Sequence, residues 1–183
     1  ATGRKFLRGP RGTGFLYVSE RVLQEKYAPL FVDLRGARWM AGDDYDLVSH
    51  AQRFEAWEVP YALLLGLREA LAYARQVGIE QIEAYNQHLV SAMEEKLSAL
   101  PGVQLFDRGS HRAAILTFRK EGRSLEATQS HLDQHEVYHS VVQKTSAQFD
   151  FEKKGIDWAI RLSPHYFNTL QEVEKLTEVV SGL

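Results

Sequence analysis

The strongest constraint on the fold is a change of hydrophobic period at Pro101-Gly102. Before it, over residues 60–78, Tyr61, Leu64, Leu65, Leu67, Leu71 and Ala74 recur at helical spacing. Proline at the start and glycine at the end punctuate that helix. A second helix is predicted over 79–100, with Ile82, Tyr85, Asn86, Leu89, Met93 and Leu97 on one face. Beyond Gly102 the pattern is that of strands, at 103–106 and 113–118, separated by a Gly109-Ser110 turn. Residues 124–135 read as a helix capped by Ser124, 136–143 and 158–163 as strands, and 168–180 as a closing helix. The order predicts an α+β fold, one small sheet backed by helices.

The first eighteen residues carry a different kind of signal. Lys5 is followed by two apolar residues and then by Gly9-Pro10-Arg11-Gly12-Thr13-Gly14. Glycine permits close backbone approach and proline fixes its own φ, so the run predicts a rigid turn feeding a strand at 15–18. A lysine held before such a turn is presented rather than left on a loose tail. Arg4, Arg8 and Arg11 are cationic neighbours that disfavour a second ammonium, and burial would act the same way. An uncharged lysine is a nucleophilic amine, the form a Schiff base with a carbonyl requires. The same residues also read as a solvated basic segment.

Between these regions, Ser19-Glu20 opens a short capped helical turn, and 28–52 read as irregular. Asp43, Asp44 and Asp46 lack the spacing of an EF-hand loop and read as a solvated loop. Gly9 to Gly14 has neither of the glycine spacings that cradle nucleotide phosphates.

Composition narrows the function classes. The 183 residues are 44% apolar and 25% charged, as expected of a globular chain holding one domain or two small ones. A net charge of −2 gives no polybasic signature for nucleic acid. No apolar run is long enough to span a membrane and no signal peptide is evident, so a cytoplasmic location is the default expectation. The absence of cysteine excludes disulfides, thiolate metal sites and a cysteine nucleophile within these residues. The chain opens without methionine directly on the lysine segment, which suggests a fragment of a longer protein.

His135-Glu136-Val137-Tyr138-His139 matches H-E-x-x-H, but that zinc signature needs helical i,i+4 spacing. In a strand, positions four apart lie about 13 Å from each other. No metal site is expected here. Arg161, near the end of the last predicted strand, could present its guanidinium fork to a carboxylate, or form a surface ion pair.

Three motifs in order then resemble one family. Lys5-x-x-x-Gly-Pro-x-Gly-x-Gly, Arg53-Phe54-Glu55 and Arg161-Leu-Ser, followed by Phe167-Asn168-Thr169, are similar to the segments of class V aminotransferases, fold-type I pyridoxal 5'-phosphate enzymes. The resemblance implies that Lys5 bonds the cofactor, that Thr2 faces its phosphate, and that Arg161 binds the substrate α-carboxylate. Arg4 stands where cysteine desulfurases of the family usually carry histidine, and counts with the cofactor-binding residues. The resemblance also implies the C-terminal part of such a fold. Residues 1–55 would be a remnant of the large cofactor-binding domain, and 56–183 the long connecting helices and the small α+β domain. It implies an amino acid substrate and a homodimer.

Two departures shape the expectation. Trp57-Glu58 replaces the Gly-Thr whose threonine reaches the partner subunit's cofactor phosphate in cysteine desulfurases. The stretch 144–157, where those enzymes carry their nucleophile, holds no cysteine. Persulfide chemistry is therefore not expected, which leaves an aminotransferase, an epimerase of the isopenicillin N type or a carbon–sulfur lyase. A non-catalytic binding or dimerisation module is the reading from another class.

Overall fold

A computed structural model describes residues 1–109 and 111–183, which fall into two units, Ala1–Val77 and Gly78–Leu183. The chain is α+β, as expected, with small antiparallel sheets and helices.

The first unit contains α1 (Glu20–Gln24), the hairpin β1 (Ala37–Ala41) and β2 (Asp44–Leu47), and α2 (Tyr61–Val77). The hairpin corrects the irregular loop expected there. Ala37 pairs with Leu47 and Trp39 with Tyr45, while Gly42 takes the left-handed conformation that the reversal needs. Nearly every side chain of both strands is exposed, so no alternation of apolar and polar residues announced them. Asp44 and Asp46 are therefore exposed strand residues rather than loop residues. The strand expected at 15–18 does not form, because no partner strand lies beside it among the described residues. Ser19 precedes α1 without a side-chain capping bond.

What closes this unit is Arg53, only 3% exposed. Its Nε donates to the Val48 carbonyl at 2.8 Å, and its Nη1 to the carbonyls of Tyr27 at 2.9 Å and Leu23 at 3.3 Å. One guanidinium thus ties the end of α1 and the chain just after it to Val48, giving the Val48 and Tyr27 carbonyls a donor that no regular structure supplies. The apolar core beneath is thin. Leu67 and Ala74 of α2 are buried, whereas Leu16, Tyr17, Leu30, Phe31, Leu34 and Trp39 are between 67% and 91% exposed.

The second unit runs α3 (Ile79–Ser98), β3 (Val103–Leu105), β4 (Leu116–Lys120), α4 (Leu125–Gln134), β5 (Ser140–Gln143), α5 (Gln148–Lys154), β6 (Trp158–Leu162) and α6 (Leu170–Ser181). Its strands form one antiparallel sheet in the order β3-β4-β6-β5. Leu116, Phe118, Ile160 and Leu162 belong to a core shared with Leu89, Met93 and Leu97 of α3 and Val173, Leu176 and Val180 of α6. These are the helix faces that the sequence period predicts.

Ser124 accepts from the Ala127 amide as the cap of α4, and Thr169 and Glu172 form a reciprocal capping box on α6. The Thr169 amide donating to Glu172 holds that carboxyl below its ordinary range. Expected boundaries shift in places: the strand expected at 113–118 forms as β4, Leu116–Lys120. Residues 136–139 lie outside β5, with Glu136 in the left-handed region, and α5 was not expected at all. Gly109 has φ +113, while Ser110 of the expected turn lies outside the described residues. No helix among the described residues is long and apolar enough to cross a membrane.

Replacing Arg53 by methionine keeps most of the buried volume but strands the carbonyls of Val48 and Tyr27, while that of Leu23 keeps the Lys26 amide. The expected loss is on the order of 3 kcal/mol, read as a lower urea midpoint. An unchanged midpoint would show that water satisfies those carbonyls instead.

Candidate active site

Lys5 sits at the tip of a loop spanning Gly3 to Gly9. The Gly9 amide donates to the Gly3 carbonyl at 2.8 Å, closing the loop, and inside it the Arg8 amide donates to the Lys5 carbonyl at 2.9 Å. Arg8 takes φ +56, uncommon for a residue with a side chain, to complete that tight turn. The base is an antiparallel bridge between Thr2 and Gly14, flanked by the Gly3 amide donating to Thr13 at 2.8 Å and the Phe15 amide donating to Ala1 at 2.9 Å.

Close packing explains the glycines. A Cβ on Gly3 would stand 2.6 Å from the Thr13 hydroxyl and 2.8 Å from Leu67 Cδ1, and one on Gly9 would stand 3.1 Å from the same leucine atom. A Cβ on Gly14 would collide with the Ala1 carbonyl. On α2, Gly66 is met by Pro10, to whose ring a Cβ there would come within 2.8 Å. Thr13, itself buried, donates its hydroxyl to the Pro10 carbonyl at 2.7 Å. The loop is thereby seated on α2 at Gly66 and Leu67, and the Arg8 guanidinium lies 5.2 Å from the centre of the Tyr73 ring. Arg4 and Lys5 on this seated loop and Thr2 at its base are all exposed. The burial invoked for Lys5 from its sequence is not observed in this unit.

The segment Arg53 to Glu58 is built around Asp33. Its carboxylate accepts from the Leu34 amide at 2.6 Å and the Trp57 amide at 3.0 Å, and these bonds lower its pKa. The Arg35 guanidinium lies 5.6 Å from the centre of the Trp57 ring and 3.6 Å from Glu55. Glu58 is exposed.

Arg161 belongs to the second unit. It pairs with Thr117 on one side and Ser140 on the other, so the three share one sheet face, opposite the main core. The Arg161 Nη2 donates to the Ser140 hydroxyl at 3.3 Å, while its Nε is buried without a partner among the described residues. The Thr117 hydroxyl donates to Asp107 at 2.8 Å. Beside this polar row the same face turns apolar, where Ala159 and Val142 pack with Phe151 of α5. After β6, Asn168 accepts from the His165 amide at 2.9 Å and returns its own amide to the His165 carbonyl at 2.8 Å, a tight turn leading to the Thr169 cap.

Arg4 and Lys5 thus stand on the loop with Thr2 in the bridge at its base, and Arg161 belongs to the other unit. Sequence reasoning missed Ser140, which is recognisable only once strand register is known. His135 and His139 do not converge on a metal. The His135 Nδ1 is 2.8 Å from the His131 carbonyl, the His139 Nδ1 is 2.9 Å from the Val137 carbonyl, and no metal-holding cluster occurs among the described residues.

A family model, aminotransferase class-V, matches residues 1–176. The chain belongs to the class V aminotransferase family. It is 29% identical over 179 residues to a cysteine desulfurase of Synechococcus elongatus, covering 94% of this chain and 27% of that protein. The structure of a cysteine desulfurase from Thermococcus onnurineus superposes with a TM-score of 0.84 at 26% identity, over 99% of this chain and 45% of that one. A variant of C-DES with glycine covalently linked to its PLP cofactor shares the fold, with a TM-score of 0.76 at 22% identity over 98% of this chain and 44% of that one. The chain spans less than half the length of these relatives.

Gly3→Ala should force Thr13 and Leu67 apart and loosen the seat of the loop. Amide hydrogen exchange at Gly9, whose bond closes the loop, is expected to speed up more than at Phe118. Equal exchange at both would show that the close approach does not hold the loop.

Proposed function

We propose that this chain supplies the cofactor lysine and the carboxylate-binding arginine of a pyridoxal-phosphate enzyme acting on an amino acid, in an aminotransferase-like reaction. The observation that carries the reading is Lys5, a primary amine held at the tip of a hydrogen-bonded loop that glycines seat on α2. The residues fit the cofactor. Lys5 offers its amine, and the Arg4 guanidinium on the same loop and the Thr2 hydroxyl at its base, both exposed, suit its phosphate. When bound, the cofactor draws electron density from the substrate Cα. Lys5 Nζ is the group that would take the proton from that carbon and return one. Arg161 would grip the α-carboxylate with its fork and so orient the bonds at Cα.

Relatives named as desulfurases would suggest sulfur transfer, but these 183 residues contain no cysteine. The stretch 144–157 folds instead into a 3₁₀ turn and α5, with Phe151 turned into the small core. No thiolate of this segment can accept sulfur. A carbon–sulfur lyase is the second reading, favoured by the fold shared with a cystine C–S lyase. An epimerase uses the same Lys5 proton transfer. Glu58 is an exposed carboxylate where related enzymes place a threonine against the partner's phosphate, so in a homodimer it would not serve that anion. The exposed apolar side chains of the first unit, among them Leu30, Phe31 and Trp39, would suit contact with the remaining portion of the family fold and with a second subunit.

In the full-length, cofactor-loaded protein, Lys5→Ala is expected to cut turnover of an amino acid by at least about 100-fold. Arg161→Ala should raise KM by about 10-fold or more, through loss of a charge-assisted pair. Turnover undiminished by Lys5→Ala would overturn the enzyme reading in favour of a non-catalytic module.

A further inference from the structure

Arg161 is a cation with unfinished hydrogen bonding. Its Nε is buried and unpaired, and no ion pair forms at it among the described residues. Its side-chain hydrogen bond runs to the hydroxyl of Ser140, its register partner on β5. On the other flank the Thr117 hydroxyl and amide both donate to Asp107, and no hydrogen bond joins Thr117 to the Arg161 side chain among the described residues. A long arginine side chain has several rotatable bonds, and a bidentate grip on a carboxylate requires the planar fork to be held in one orientation. The neighbouring Ala159 and Val142 offer that fork only apolar side chains.

We infer that Ser140 is a positioning residue: its hydroxyl fixes the Arg161 fork in the orientation that receives a carboxylate. The inference rests on the reading of Arg161 as the substrate-carboxylate anchor. The Ser140 oxygen accepts from Nη2, which leaves the hydroxyl proton for another acceptor. Ser140 is the first residue of an edge strand, where threonine is as well accommodated as serine. Exchange of the two therefore changes the shape of the site but keeps its hydroxyl.

The test uses the full-length, cofactor-loaded protein and the arginine reagent phenylglyoxal, with modification of Arg161 read by peptide mass. L-alanine is the probe, and ethylamine, which has no carboxylate, is its control. In the wild type, L-alanine should protect Arg161 and ethylamine should not. Ser140→Ala should raise the L-alanine concentration for half-protection by about 10-fold. Ser140→Thr should restore protection to within about 2-fold of wild type. Equal half-protection in wild type and Ser140→Ala would overturn the role of Ser140 while leaving Arg161 as the anchor. So would Ser140→Thr behaving like Ser140→Ala. Failure of L-alanine to protect Arg161 in the wild type would overturn both assignments together.

Discussion

The seat of the Lys5 loop on α2 is the contact on which the rest of the site depends. Gly3 and Gly9 approach Leu67 so closely that neither could carry a side chain without displacing it, and Gly66 clears room for Pro10. A loop of this length would otherwise sample many conformations, and ordering it costs entropy at every residue. Here two backbone hydrogen bonds within the loop and a packed leucine of α2 offset that cost. The first unit has few other resources. Its buried apolar side chains are few, and Arg53 binds its irregular turns through carbonyls rather than through a core.

The second unit solves a different problem. Its sheet must bury one face against helices and still present a charged group on the other. The main core takes Leu116, Phe118, Ile160 and Leu162, so the alternation of strand side chains sends Thr117 and Arg161 to the opposite side. α5 then covers only the apolar end of that second face, through Phe151 against Ala159 and Val142. The polar row is left with a hydroxyl as Arg161's neighbour, which does not neutralise it. A carboxylate in place of Ser140 would have completed an internal ion pair and neutralised Arg161.

Much of this was legible in the sequence. The long periodic runs that became α2 and α3 were plain, as were the strands and capped helices around the main core, because burial on one face imposes a period. The lysine and arginine segments were legible through residue order. The hairpin β1–β2 was not, since Trp39 and Tyr45 pair across it while exposed and so leave no alternating pattern. The extended run at 15–18 has the composition of a strand, yet composition cannot supply a partner. Arg53 was visible as part of a motif, but its burial and its three carbonyls belong to long-range packing. Ser140 was hidden for the same reason: a serine acquires its role only from the residue placed opposite it.

Whether Lys5 is the amine that bonds the cofactor is tested most directly by reductive trapping. The full-length protein would be loaded with pyridoxal phosphate, reduced with borohydride and digested, and the adduct located by peptide mass. One dominant adduct is expected on the peptide containing Lys5, absent from Lys5→Ala. Adducts scattered over exposed lysines, with none dominant at Lys5, would contradict it.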